Sequence, residues 1–170
     1  ETVEKVCEQQ RELGKKVWPA NYNMDGQLVL AGLKADLESL TDTFKEAGAK
    51  RAIVLDMSVA SHCELLTSAV ENLKPYLDEF LKDEFLPVIS NVSTNAYKTK
   101  DEAIELLSAQ LTSPVKYKQS IIAHENEVDL FIEFGNGIVL KGLNKKITKV
   151  PTINVSDMKT LESVLGELND

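Results

Sequence analysis

The sequence predicts an α/β protein, and two observations carry that prediction. Beyond His62, β-type runs alternate with segments of helical period, a pattern that implies a mainly parallel sheet with helices on its faces. Before residue 57 the order reads α-β-β-α-β, which is a split βαβ sandwich of the ferredoxin type begun one strand late. The complete sandwich has its first strand in the middle of the sheet. Two strands of the segment are therefore expected to lack the neighbour that satisfies their backbone groups. The expected organisation is an incomplete ferredoxin-like unit at 1–57 followed by an α/β unit at 58–170.

Each element has its own signal. A helix is expected at 2–13, then strands at 16–20 and 27–31 joined by the turn Asn21-Tyr-Asn-Met-Asp-Gly26. A helix at 33–47 precedes the apolar, β-branched run Arg51-Ala-Ile-Val-Leu-Asp56, expected as a strand near 50–56. Leu65, Leu66, Ala69, Leu73, Tyr76 and Phe80 recur at helical spacing and predict a helix over 62–82. A strand follows near 86–91, and Ser93–Lys100 reads as a polar loop. Helices at 101–111 and 115–125, a strand at 128–134, a helix at 138–146, a strand at 151–155 and a helix at 157–167 complete the alternation.

Composition narrows the function classes. The 170 residues are 43% hydrophobic, enough for a real core, and the apolar runs are too short for a membrane span. The N-terminus Glu1-Thr-Val-Glu-Lys5 lacks the basic start and apolar stretch of a signal peptide, which argues for a cytoplasmic protein. Cys7 and Cys63 have no metal-ligand spacing and read as reduced thiols. A net charge of −8 argues against nucleic acid as the main partner, since phosphate binding needs a dense basic face. Lys15-Lys16, Lys50-Arg51, Lys116-Lys118 and Lys141-Lys145-Lys146 are the local basic spots.

The chemistry-bearing candidate is His62 in Met57-Ser-Val-Ala-Ser-His-Cys63, on the expected strand-to-helix connection. Such a position holds a side chain between rigid elements while leaving it open to a cleft, where general bases are presented. A helix cap or a partly buried polar residue is the alternative reading.

Six blocks stand in a telling order: Pro19–Gln27, Ala47–Arg51, Ser58–His62, Pro87–Val92, Gln110–Val115 and Phe131–Gly137. In that order and spacing the chain resembles the malonyl-CoA:acyl carrier protein transacylases of bacterial fatty-acid synthesis, from near its start to about Ile147. The resemblance implies the C-terminal part of an α/β-hydrolase-like acyltransferase core with a ferredoxin-like small subdomain lacking its first strand. Family enzymes are longer and carry, ahead of the matching region, an oxyanion-hole loop, a Gly-x-Ser-x-Gly nucleophile elbow and a malonyl-gripping arginine. No glycine pair here brackets a serine at elbow spacing, so an N-terminal remainder of the enzyme is expected as partner.

What the resemblance implies is malonyl transfer from malonyl-CoA to the phosphopantetheine thiol of acyl carrier protein, with no metal or redox cofactor. His62 would activate a serine outside this chain, and Asn126, in Glu125-Asn-Glu-Val128, would orient the ring by side chain or backbone. His124 reads as an ordinary helix-surface histidine. Asn21, Asn23 and Gln27 are candidates for holding the thioester arm, or are simply turn formers. Lys50 and Arg51 are the expected carrier-docking pair. Ser61 leaves room for an α-methyl group, so methylmalonyl use stands as an alternative to malonyl. Gly135-Asn-Gly137, where the family has Gly-Pro-Gly followed by lysine, is either a phosphate cradle or a tight turn. A non-catalytic module binding acyl-CoA or a carrier protein is the competing function.

Overall fold

The computed structural model describes residues 2–169. Helix α1 (Thr2–Glu12) buries Val6 and Cys7 against Val17, Leu40 and Phe44, the core of the first third of the chain. Strands β1 (Val17–Met24) and β2 (Gln27–Gly32) form an antiparallel hairpin. The hairpin is longer than the sequence suggests. Only Asp25-Gly26 makes the turn, with Gly26 at φ +76°, so Asn21–Met24 belongs to the strand rather than to a loop. At the far end Gly32 is forced by space, because a Cβ there would lie 2.1 Å from the Lys16 carbonyl oxygen.

The helix expected over 33–47 is two helices, α2 (Lys34–Ser39) and α3 (Thr41–Glu46), broken at Leu40. Leu40 is drawn into the core at 3% exposure, while Ser39 and Thr41 donate their hydroxyls to the Asp36 and Glu38 carbonyls. Such side-chain bonds compete with the helical ladder and bend it.

The strand expected near 50–56 does not form. Residues 51–57 are without regular structure, and Ile53, Leu55 and Met57 are exposed. A β-type run becomes a strand only when a neighbour supplies the opposing donors and acceptors, and none of the described residues does so here.

Past His62 a 3₁₀ turn (Glu64–Leu66) leads into α4 (Thr67–Phe80), followed by β3 (Glu84–Ile89) and β4 (Ala96–Thr99). β4 corrects the expected polar loop. Tyr97, 7% exposed, meets Phe85 edge-on across the pair at 5.9 Å between ring centroids, while Lys98 points outward. Thr99 and Glu102 then form a capping box that starts α5 (Lys100–Gln110). Helix α6 (Tyr117–His124), strand β5 (Phe131–Phe134), helix α7 (Val139–Ile147), strand β6 (Thr152–Val155) and helix α8 (Met158–Asn169) follow.

Instead of one mainly parallel sheet, the described strands form three two-stranded sheets, and only β5–β6 is parallel. β1 gains a further neighbour at one point: the Tyr22 amide donates to the Val115 carbonyl and the Val115 amide to the Ala20 carbonyl, both at 2.8 Å. This bridge ties the hairpin to the segment between α5 and α6. Farther on, a buried network runs from the Tyr117 hydroxyl to Asn144 and on to the Thr152 hydroxyl, joining α6, α7 and β6. Burial and the nearby Glu133 carboxylate push the Tyr117 phenol up to about 12.

Candidate active site

His62 is placed by its neighbour. Cys63 is 1% exposed and packs with Ala20 on β1 and Ala31 on β2, two small residues that let the loop approach the hairpin face. Trp18 and Ala60 close over this cluster. His62 takes φ +61°, the left-handed region, which turns the chain from the exposed run into the 3₁₀ turn. The side chain thus leaves a fixed point, although the residues before it are exposed.

The ring has one fixed partner. His62 Nδ1 lies 2.8 Å from the main-chain carbonyl oxygen of Gln110. A carbonyl can only accept, so Nδ1 carries a proton, and in the neutral ring the lone pair is then on Nε2. Gln110 is the last residue of α5, where carbonyls lack intrahelical partners and the helix dipole is negative. That end suits a ring that becomes positive when it takes a proton.

Here the expectation for Asn126 is corrected. The group on His62 Nδ1 is the Gln110 carbonyl, and Asn126 instead borders a separate depression with Lys145, Lys146 and Lys149. The physical reason is that a backbone carbonyl has no side-chain signature in sequence. The available signal was positional, a helix-final residue shortly before Pro114 inside the block Gln110–Val115.

Asn21, Gln27, Lys50, Arg51, Ser61 and His62 all line one open cleft between the hairpin and the 50–62 segment. Asn23 is not among its walls. The register of β1 against β2 shifts between Tyr22 and Met24, leaving Asn23 in a bulge that re-aims its side chain.

The Gly135–Gly137 segment is a structural turn. Asn154 Nδ2 donates to the carbonyls of Glu133, Gly135 and Gly137 at 3.1, 3.3 and 2.6 Å. Glu133 accepts the Leu140 and Lys141 amides at 2.9 Å each, so a carboxylate of the chain already occupies the N-terminus of α7. His124 is more than a surface residue, since its Nδ1 meets Glu127 Oε2 at 2.7 Å and its Nε2 meets the Thr94 carbonyl at 2.8 Å. Both partners accept, so both nitrogens are protonated, and the ring's ordinary value is raised by Glu127 first and then by Thr94.

Among the described residues no cluster of three or more His, Cys, Asp or Glu is arranged to hold a metal ion, and no helix is long and apolar enough to cross a membrane.

Fold and site together define an α/β protein with a carbonyl-oriented histidine on the wall of a cleft. Known proteins share this fold. A malonyl CoA-acyl carrier protein transacylase of Bacillus subtilis is 42% identical over 173 aligned residues, covering all of this chain and 55% of that protein. The enzyme of the same name from Haemophilus influenzae is 36% identical, covering 96% of this chain and 53% of its own length. Among solved structures, the malonyl-CoA:acyl carrier protein transacylase of Helicobacter pylori superposes with a TM-score of 0.93 at 43% identity, over 99% of this chain and 54% of that one. A malonyl-transacylase in complex with a type II polyketide acyl carrier protein superposes at 0.90 with 32% identity, over 98% of this chain and 54% of that one. No family model matches the sequence. The chain is homologous along its whole length to the malonyl CoA-acyl carrier protein transacylases, and it spans about half the length of the relatives it matches.

Proposed function

We propose that these residues supply the histidine side of a malonyl-transferring active site, completed by a serine that lies outside the chain. The single observation that carries this reading is the 2.8 Å contact between His62 Nδ1 and the Gln110 carbonyl, which orients a ring on the cleft wall and leaves Nε2 as the nitrogen available for proton transfer. In the proposed sequence, Nε2 takes the serine hydroxyl proton as the oxygen attacks the malonyl thioester carbon. The C–S bond breaks and the proton passes to the coenzyme A sulfur as it leaves. The carrier's phosphopantetheine thiol then gives its proton to Nε2 and attacks the serine ester, and as the ester C–O bond breaks that proton passes from Nε2 to the serine oxygen. The Gln110 carbonyl holds the ring through each transfer.

The proposed substrates are those that the relatives act on, malonyl-CoA and acyl carrier protein, and fatty-acid synthesis is the proposed setting. Malonyl is the substrate proposed, with Ser61 on the cleft wall as the residue that would admit a methyl group. Asn21 and Gln27 are proposed to contact the thioester arm. The chemistry asks for no metal or redox cofactor.

The test is radiolabelled malonyl transfer by a polypeptide of the relatives' length that carries this sequence. His62→Ala is expected to lower transfer by roughly 10²–10⁴-fold, the usual worth of a positioned general base, with the fold retained. Near-normal transfer by the folded variant would remove His62 from the mechanism, whereas no transfer by the unsubstituted polypeptide would favour a binding module instead.

A further inference from the structure

We propose that Asn91 is a positioning residue for the histidine: it clamps the end of α5 so that the Gln110 carbonyl stays on His62 Nδ1. The inference rests on the reading of His62 as a base, and it concerns what keeps that base in place.

The carbonyl in question needs outside support. It belongs to the last residue of α5, where the helical ladder no longer fixes the peptide and helix ends fray. Asn91 supplies the support from both sides of the following loop. Its side-chain Nδ2 donates to Gln110 Oε1 at 3.1 Å, and its own carbonyl accepts the Lys116 amide at 2.9 Å. The residues between those two anchor points include Val115, which is bridged to β1. Asn91 therefore fixes the end of the helix and the residue just past the bridged Val115.

Asn91 is itself well held. Ser90, 3% exposed, accepts the Val92 and Ser93 amides on its hydroxyl at 3.1 and 3.2 Å. Its backbone exchanges bonds with Asn95 and Thr94, at 3.0 and 2.9 Å, closing the β3–β4 connection into a stiff turn. A side chain on such a turn holds its partner in one place, and a base displaced by even an ångström loses much of its effect.

The test reads the His62 ring directly by nitrogen NMR. In the unsubstituted protein, above the ring's titration, the Nδ1–H tautomer is expected to predominate. Asn91→Leu keeps the size and removes the donor, and is expected to move the ring toward the Nε2–H form. Gln110→Leu, which keeps the carbonyl but removes the side chain, should do the same. The double variant should be no worse than either single, because both remove one contact. Asn91→Asp is expected to restore the tautomer, since the Gln110 amide can rotate to donate. Val164→Ala, a core change in α8, should lower stability and leave the ring untouched. In transfer assays, Asn91→Leu is expected to lower kcat by roughly 10- to 100-fold with little change in KM.

A folded Asn91→Leu variant that keeps His62 in the Nδ1–H form overturns the proposal. Should that variant not fold, Gln110→Leu decides by the same readout. An unsubstituted protein without the Nδ1–H form would sink the reading of His62 itself, a different result from failure of the Asn91 clamp.

Discussion

The ring of His62 and the carbonyl of Gln110 are 48 residues apart in the chain and 2.8 Å apart in space. That contact favours the Nδ1–H tautomer of the neutral ring and orients a histidine that lines the cleft. The consequences of the surrounding structure can each be measured.

Lys50 and Arg51 are exposed and line the same cleft as His62. Reversing both charges is expected to weaken use of a carrier-protein thioester far more than use of the coenzyme A thioester, because only the carrier offers an extended acidic face. Steady-state kinetics on the two thioesters compare them directly. Equal losses for both would place the pair's effect in the site or in folding rather than in docking.

Gly32 and Gly142 should respond to alanine with opposite signs. At Gly32 the new methyl would overlap the Lys16 carbonyl at 2.1 Å, so backbone must shift, and a loss of roughly 3 kcal/mol is expected. Gly142 is an exposed position within α7 with nothing within 4 Å of an added Cβ. Replacing it should add about 1 kcal/mol through helix propensity. Denaturant melts of the two variants give both values, and a neutral Gly32→Ala would contradict the close approach of the strands.

His124 and Glu102 set opposite pH limbs of stability. The folded value of His124 is raised, so its contribution is complete below the unfolded value of about 6.5 and fades as pH rises through the folded value. Stability is expected to decline across that window, and His124→Gln should flatten the decline. Glu102 is held low by the Thr99 hydroxyl and then by the Lys98 and Thr99 amides. Its contribution is present above about pH 4.3 and lost as pH falls through its folded value. A pH series of melts on the two variants Glu102→Gln and His124→Gln separates the limbs.

Both cysteines are expected to resist alkylation in the folded protein and to react on unfolding. Burial pushes Cys7 up to about 11 and raises Cys63 as well, and neither is more than 1% exposed. The thiolate fraction of Cys7 alone should slow labelling by roughly 100-fold. Fast labelling of Cys63 in folded protein would mean that the His62 loop detaches from Ala20 and Ala31.

The candidate site was partly legible in the chain. His62 stood out because its flanks predict a rigid connection, and Asn21, Gln27, Lys50, Arg51 and Ser61 do share its cleft. The two misplacements have backbone causes. A bulge turns Asn23 away, and a main-chain carbonyl takes the role given to Asn126.

By itself the sequence determined the α/β class, the order of nearly all the helices and strands, and the histidine, because periodicity, turn residues and side-chain chemistry are local. The tertiary structure alone decided that 51–56 stays unpaired, that β4 exists, and that the α5 C-terminus meets His62. Each of those depends on whether a distant backbone group arrives within hydrogen-bond reach. No residue's own identity encodes that arrival.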